Sequence, residues 1–212
     1  MMEIGLIDYE MGNLQSVMNS CEYLGRKIRF IRNDGDFEGL SHVILPGVGA
    51  FQQGMDNLRR NGLDASIKQR TADKEINLLG ICLGMQLLAS SGTEGIAGGT
   101  WEGGGLELIP GRVERFEESN LRIPHIGWNE AKPVRPNLLL KGAPVDYYFV
   151  HSYFFNAAHK ADVLAVCDYG VSFPCVVGRD NVFGVQFHPE KSHHLGLELL
   201  NNFFKVPCLK NA

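Results

Sequence analysis

Long apolar runs are missing from this 212-residue chain. Its most apolar stretch, Ile76–Ala89, is broken by Asn77, Gly80, Gly84 and Gln86 and is too short to span a bilayer, which argues against a membrane-spanning protein. Basic clusters are missing too. Lys and Arg number 20 against 24 Asp and Glu, a formal charge of -4, so a phosphate-backbone binder is not expected. Cysteine is sparse and odd in number: Cys21, Cys82, Cys167, Cys175 and Cys208 form no CxxC pair, which excludes a zinc ribbon or a disulfide framework as the organising principle. Neither GxGxxG nor phosphate-loop spacing occurs, so nucleotide binding has no support. The opening MMEIGLIDYE has acids early and no basic n-region, which predicts a cytoplasmic protein. With 44% hydrophobic and 21% charged residues, the composition is that of an ordinary folded domain. The length predicts one domain over residues 1–212.

The pattern along the chain is a strand–helix alternation. Glu3–Ile7 reads as a buried strand, and Asn13 as the cap of a helix whose apolar positions Leu14, Val17, Met18, Cys21 and Leu24 repeat at helical spacing until Gly25. Ile28–Ile31, His42–Leu45 and Ile76–Ile81 read as further strands; Phe51–Arg60, Asp64–Asp73 and a segment from Met85–Ala89 read as helices. Gly92–Gly105, with Trp101 inside it, reads as a loop. Beyond it extended runs dominate: Leu106–Ile109, Arg112–Phe116, Tyr147–Phe155, Val163–Cys167, and a hairpin of Val171–Val177 and Asn181–Phe187 about Gly178–Asp180. Leu195–Phe204 closes the chain as a helix. This predicts an α/β fold in three layers: a mostly parallel central sheet, helices on both faces, and added antiparallel strands in the C-terminal half.

Gly80-Ile81-Cys82-Leu83-Gly84 lies at a strand-to-helix turn. Small residues two before and two after a nucleophile relieve crowding there, and the helix start favours thiolate over thiol. The Leu83 N–H would face an oxyanion formed beside Cys82. Alone, the same five residues also fit a glycine-rich turn with a buried cysteine. A thiol nucleophile needs a base, and His188-Pro189-Glu190 leaves the end of a strand: His188 can move the proton, and Glu190 can orient the imidazole. An isolated His-Pro-Glu fits a solvent-facing turn with a surface acid better. The six other histidines (42, 125, 151, 159, 193, 194) read as solvated or satisfied in the core. Pro46-Gly47-Val48-Gly49, after a strand, suits backbone amides that approach a ligand or reorient to complete an oxyanion hole; a plain turn is the alternative.

Taken together, GICLGMQLL around Cys82, GVQFHPEKS around His188 and LPGVGAF resemble the class I glutamine amidotransferase family. DYEMGNLQSV (8–17), PHIGWNE (124–130) and YFVHSY (148–153) narrow the resemblance to glutaminase subunits of histidine biosynthesis, over nearly the whole chain. The resemblance implies hydrolysis of L-glutamine through a thioester on Cys82, with His188 as acid and base and Glu190 behind it. It implies oxyanion donors at Val48, Gly49 and Leu83, and substrate contacts at Gly49, Gln86, Ser152 and Tyr153. It implies transfer of ammonia to a (β/α)8-barrel cyclase subunit in a heterodimer, with Asn13, Trp128, Tyr148 and Lys191 near the interface. No cofactor and no metal are implied. The family pattern has glycine where this chain has Glu10. That departure leaves open a paralogue feeding another acceptor, such as a sugar-amidating enzyme. A free-standing cysteine hydrolase and a silent scaffold are the other readings.

Overall fold

The computed structural model describes residues 2–95, 104–117, 122–142 and 144–208. Five short strands form a parallel array: β1 (Glu3–Ile7), β2 (Lys27–Ile31), β3 (His42–Leu45), β4 (Asn77–Ile81) and, from far along the chain, β12 (Val182–Val185), ordered β2-β1-β3-β4-β12. Side chains alternate across this array. Ile44 and Leu79 face one core with Ile4 and Leu6, while Val43, Leu45 and Leu78 face the other. Helix α1 (Leu14–Tyr23) and helix α5 (His193–Phe203) cover the first face. Helices α2 (Phe51–Arg60), α3 (Leu63–Ala72) and α4 (Leu83–Leu87) cover the second. Both faces of β1, β3, β4 and β12 are buried, which is why these strands are almost wholly apolar.

Beyond β12 the sheet continues antiparallel through β11 (Val171–Arg179), β10 (Val163–Tyr169), β7 (His125–Pro133) and β8 (Val145–His151), giving nine strands. A second sheet joins β5 (Ser91–Gly92), β6 (Gly111–Arg115) and β9 (Tyr153–Ala157). The expected architecture is present: three layers, with a parallel half and an antiparallel extension. No helix among the described residues is long and apolar enough to cross a membrane.

Three expectations change in detail. Leu106–Ile109 is not a strand: its four amides donate to the carbonyls of Leu87, Ala89 and Leu88 at 2.8–3.1 Å, so the segment caps the end of α4 instead of joining a ladder. Tyr147–Phe155 is two strands in two sheets, parted at Ser152. β7 is a nine-residue strand that the polar sequence HIGWNEAKP conceals. Most of the Gly92–Gly105 loop, Trp101 included, lies outside the described residues.

Candidate active site

Cys82 sits where β4 hands over to α4, with φ 54 and ψ -109, a conformation that L residues rarely adopt. The crowding is measurable at the two flanking glycines. A Cβ on Gly80 would come within 2.5 Å of the Gly84 carbonyl oxygen, and one on Gly84 would overlap the carbonyl of Leu45. The turn therefore closes only with glycine at both places, and it holds the sulfur 7% exposed at the carboxyl end of the parallel strands. Helix α4 spans only five residues, so the macrodipole expected behind the sulfur is limited to the first turn's amides.

His188 follows β12, the neighbour of β4. Its Nδ1 lies 2.7 Å from Glu190 Oε1, and both side chains are almost wholly buried. Burial works against a charge on His188, but the neighbouring Cys82 and the Glu190 carboxylate outweigh it, and the His188 pKa is pushed up to about 10. No hydrogen bond of proper geometry reaches His188 Nε2 or Glu190 Oε2 from the described residues. Cys82 nonetheless stands close enough to the ring to help raise its pKa. The backbone of His188 is braced: its N–H donates to Tyr148 O at 2.9 Å, and the Ser192 hydroxyl donates to its carbonyl at 2.6 Å while accepting from the Tyr148 N–H at 3.0 Å.

A cleft of about 410 Å³ opens over the sulfur, lined by Val48, Gly49, Ala50, Cys82, Leu83, Gln86, Glu94, Pro124, Val150, His151, Ser152, Tyr153 and His188. Every residue expected in catalysis, the oxyanion hole or substrate contact lines this cleft except Glu190, which stands behind His188. Gln86 is fixed by bonds from Nε2 to Tyr153 O (2.9 Å) and Gln186 Oε1 (3.1 Å). Sequence reasoning passed over Glu94, a half-buried carboxyl whose pKa is raised by burial, and His151. It also passed over Ser192, whose hydroxyl ties the nearby His188 carbonyl to Tyr148, a residue distant in sequence.

The oxyanion side differs from expectation in one respect. The Leu83 N–H donates to Gly47 O at 3.3 Å, so that donor is engaged by the Pro46–Gly49 segment itself. Gly49 holds φ 113, a conformation that a side chain would strain, and a Cβ there would come within 2.7 Å of Met11 Cε. The first loop backs the segment: the buried Tyr9 hydroxyl donates to Pro46 O at 2.8 Å, and Gly12 packs on Gly47. Glu10 in that loop has φ 66, a conformation natural to glycine, and pairs with Arg60 at 2.6 Å. Its carboxylate is thus engaged within its own chain.

Of the residues expected at an interface, Trp128, Tyr148 and Lys191 share one surface: Lys191 Nζ lies 5.9 Å over the Tyr148 ring, and Trp128 is 6.1 Å from it. His193 stacks on Trp128 at 5.0 Å. Asn13 caps α1 by accepting from Ser16 N–H, and Ser16 lines the same recess as Lys191 and His193.

The family described as glutamine amidotransferase class-I matches residues 5–206. Among curated proteins, the imidazole glycerol phosphate synthase subunit HisH of Moorella thermoacetica is 44% identical over 205 residues, 96% of this chain and 94% of that protein. The HisH protein of Leptospira interrogans is 41% identical, over 94% of this chain and 98% of that protein. A solved structure titled as a glutamine amidotransferase superposes with a TM-score of 0.74 at 21% identity, covering 95% of this chain and 97% of the other. The structure of PurLQS from Thermotoga maritima gives a TM-score of 0.72 at 16% identity, covering 96% of this chain and 97% of the matched one. At such identities the two structures speak to the fold alone.

Proposed function

The chain belongs to the class I glutamine amidotransferase family, and on that premise we propose that it is the glutaminase subunit of an imidazole glycerol phosphate synthase. It hydrolyses L-glutamine to glutamate and passes the ammonia to a (β/α)8-barrel cyclase subunit, which uses it to make imidazole glycerol phosphate in histidine biosynthesis. Relatives at 39–44% identity over nearly the full length support the assignment. The observation that carries the chemistry is the strained Cys82 at the floor of a cleft, beside a buried His188–Glu190 pair.

The reaction runs in two steps. With His188 already holding the proton, the Cys82 sulfur attacks the side-chain amide carbon. As the C–N bond breaks, His188 Nε2 returns that proton to the leaving nitrogen, and ammonia departs from a thioester. Water then attacks the thioester carbon, yields its proton to His188, and releases glutamate and the thiol. Glu190 accepts from Nδ1 throughout and stabilises the imidazolium. Glu94 and the Ser152–Tyr153 backbone suit the α-ammonium and α-carboxylate ends of the substrate. The carboxylate of Glu94, already unfavourable to ionise where it lies, gains from a cationic neighbour.

Rest and activity differ at the oxyanion hole. One such donor is worth about 2.7–4 kcal/mol, and Leu83's is engaged by Gly47 in the chain alone. Docking of the cyclase against Trp128, Tyr148 and Lys191 reorients the Val48–Gly49 peptide and frees it. The test is Cys82→Ala in the complex. Glutamine-dependent synthesis is expected to vanish while synthesis from added ammonium salts persists; glutamine turnover surviving in that variant would overturn the proposal. Hydrolysis by the chain with and without cyclase reads the gate, and strong stimulation is expected.

A further inference from the structure

A line of hydrogen bonds runs behind the cleft wall, from the outer strands of the sheet to the backbone expected to hold glutamine. His151 Nδ1 lies 2.8 Å from the Tyr153 carbonyl, the same oxygen that accepts from Gln86. His151 Nε2 meets His125 Nδ1 at 3.0 Å, across the β7–β8 register that pairs the two residues. His125 Nε2 meets Asn129 Nδ2 at 3.3 Å. Asn129 is in turn fully committed: Nδ2 donates to Asp168 O at 3.1 Å, and Oδ1 accepts from the Glu130 N–H at 2.8 Å.

The direction of this line follows from its ends. A carbonyl oxygen only accepts, so His151 carries its hydrogen on Nδ1. Both rings are deeply buried, and burial lowers the pKa of His151 to about 3 and of His125 to about 4, so each is neutral and has one N–H. His151 Nε2 is therefore an acceptor, and His125 must donate to it from Nδ1. His125 Nε2 is then the acceptor for the Asn129 amide. Every atom has its partner in this one arrangement; turning either ring to the Nε2–H form sets two donors or two lone pairs against each other. Packing fixes the first ring as well, with His125 stacked on Tyr169 (3.9 Å between centroids) and on Phe149 (5.0 Å).

We propose that Asn129, His125 and His151 form a positioning relay, locked in the Nδ1–H tautomer, that sets the Ser152–Tyr153 backbone for glutamine and couples it to the surface strand bearing Trp128. The relay rests on the glutaminase reading above. It places no new group on the reacting atoms and acts through the Tyr153 carbonyl, so its signature is affinity for glutamine and not the chemical step.

The experiment measures glutamine hydrolysis by the assembled complex with the cyclase. His125→Phe keeps the aromatic stack and removes both hydrogen bonds; KM is expected to rise on the order of tenfold, with kcat changed by less than about threefold. His151→Leu is expected to raise KM likewise. His151→Asn puts an amide N–H near the place of Nδ1 and is expected to recover most of the loss. A purely structural part would lower kcat and melting temperature together and would show no rescue by asparagine. In imidazole 15N spectra of the native chain, both rings are expected as Nδ1–H tautomers at neutral pH. An Nε2–H or charged signal from either ring, or an unchanged KM in both His125→Phe and His151→Leu, overturns the relay. A native complex with no glutamine turnover would instead overturn the glutaminase reading, while the tautomer spectrum still decides the arrangement of the rings.

Discussion

Glu190 gives one carboxylate oxygen to His188 at 2.7 Å, while the other has no hydrogen-bond partner among the described residues, and the side chain is 2% exposed. A buried carboxylate left half satisfied costs stability, and its return is the charge it places beside the imidazolium. Glu190→Gln tests that exchange. The amide oxygen can still accept from Nδ1–H, so the ring keeps its orientation, but the negative charge is gone. The His188 pKa is expected to fall from about 10 toward the ordinary histidine range. The kcat for glutamine is expected to drop about 10²–10⁴-fold, the span between a lost acid–base contribution and a lost triad carboxylate. An NMR titration of His188 and the kcat–pH profile of the complex check both. An unchanged His188 pKa would show that Cys82 alone keeps the proton on His188.

The Pro46–Gly49 segment is an element held from behind. Tyr9 donates its hydroxyl to Pro46 O, is itself fully buried, and has its own carbonyl accepting from Asn57 Nδ2 at 3.0 Å. Burial, with Cys82 nearby, pushes the Tyr9 pKa far up, so the hydroxyl stays a donor at any working pH. Tyr9→Phe removes that restraint with almost no change in volume. It should cost about 1–3 kcal/mol of stability, since a buried carbonyl loses its partner, and should raise unstimulated glutamine hydrolysis severalfold by loosening the segment that engages Leu83. Denaturant melts and turnover without cyclase measure the two effects; a lower basal rate would mean that Tyr9 serves the active arrangement instead. This kind of backing was invisible in the sequence, because Tyr9 and Pro46 meet only through the pairing of β1 with β3. What could be read were features with local causes. The bounds of β1, β3 and α2 follow from apolar period and turn residues, and Cys82 announces itself because a strand-to-helix turn tolerates only glycine at 80 and 84. Leu106–Ile109 misled because four residues with strand-like apolarity spend their amides on the end of a helix. The break at Ser152 was hidden because nothing in VHSYFF differs from a continuing strand; only the second sheet requires it. Glu94, His151 and Ser192 have their roles through partners fixed by tertiary pairing, which no local motif encodes.

At the scale of the molecule, its buried histidines pull stability in opposite directions with pH. His125 and His151 are held neutral, with folded pKa values near 4 and 3 against about 6.5 when unfolded. As pH falls below about 6.5 the unfolded chain takes up protons that the folded chain refuses, so stability declines with acidification until the folded values are passed near 4 to 3. His125 alone contributes on the order of 3 kcal/mol across that window, and the two rings, being in contact, do not simply add. His188 works the other way. Its folded value near 10 lies above the unfolded one, so its stabilisation is complete below about pH 6.5 and is lost as pH rises to 10. The two linkages meet between them, and maximum stability is expected near pH 6.5, falling toward pH 4 and again toward pH 10. Replacing a ring removes its branch selectively. His125→Phe should lessen the acid-side slope in denaturant-derived unfolding free energies, with His151 and His42 keeping the rest, and should leave the alkaline slope; His188→Asn should flatten the alkaline side and leave the acid one. Steepness between pH 6.5 and 4 that persists undiminished in His125→Phe would assign the acid loss to the other buried rings, His151 and His42, and not to His125; the carboxylates in surface ion pairs, such as Asp168 with Lys132, have lowered pKa values and act below that window.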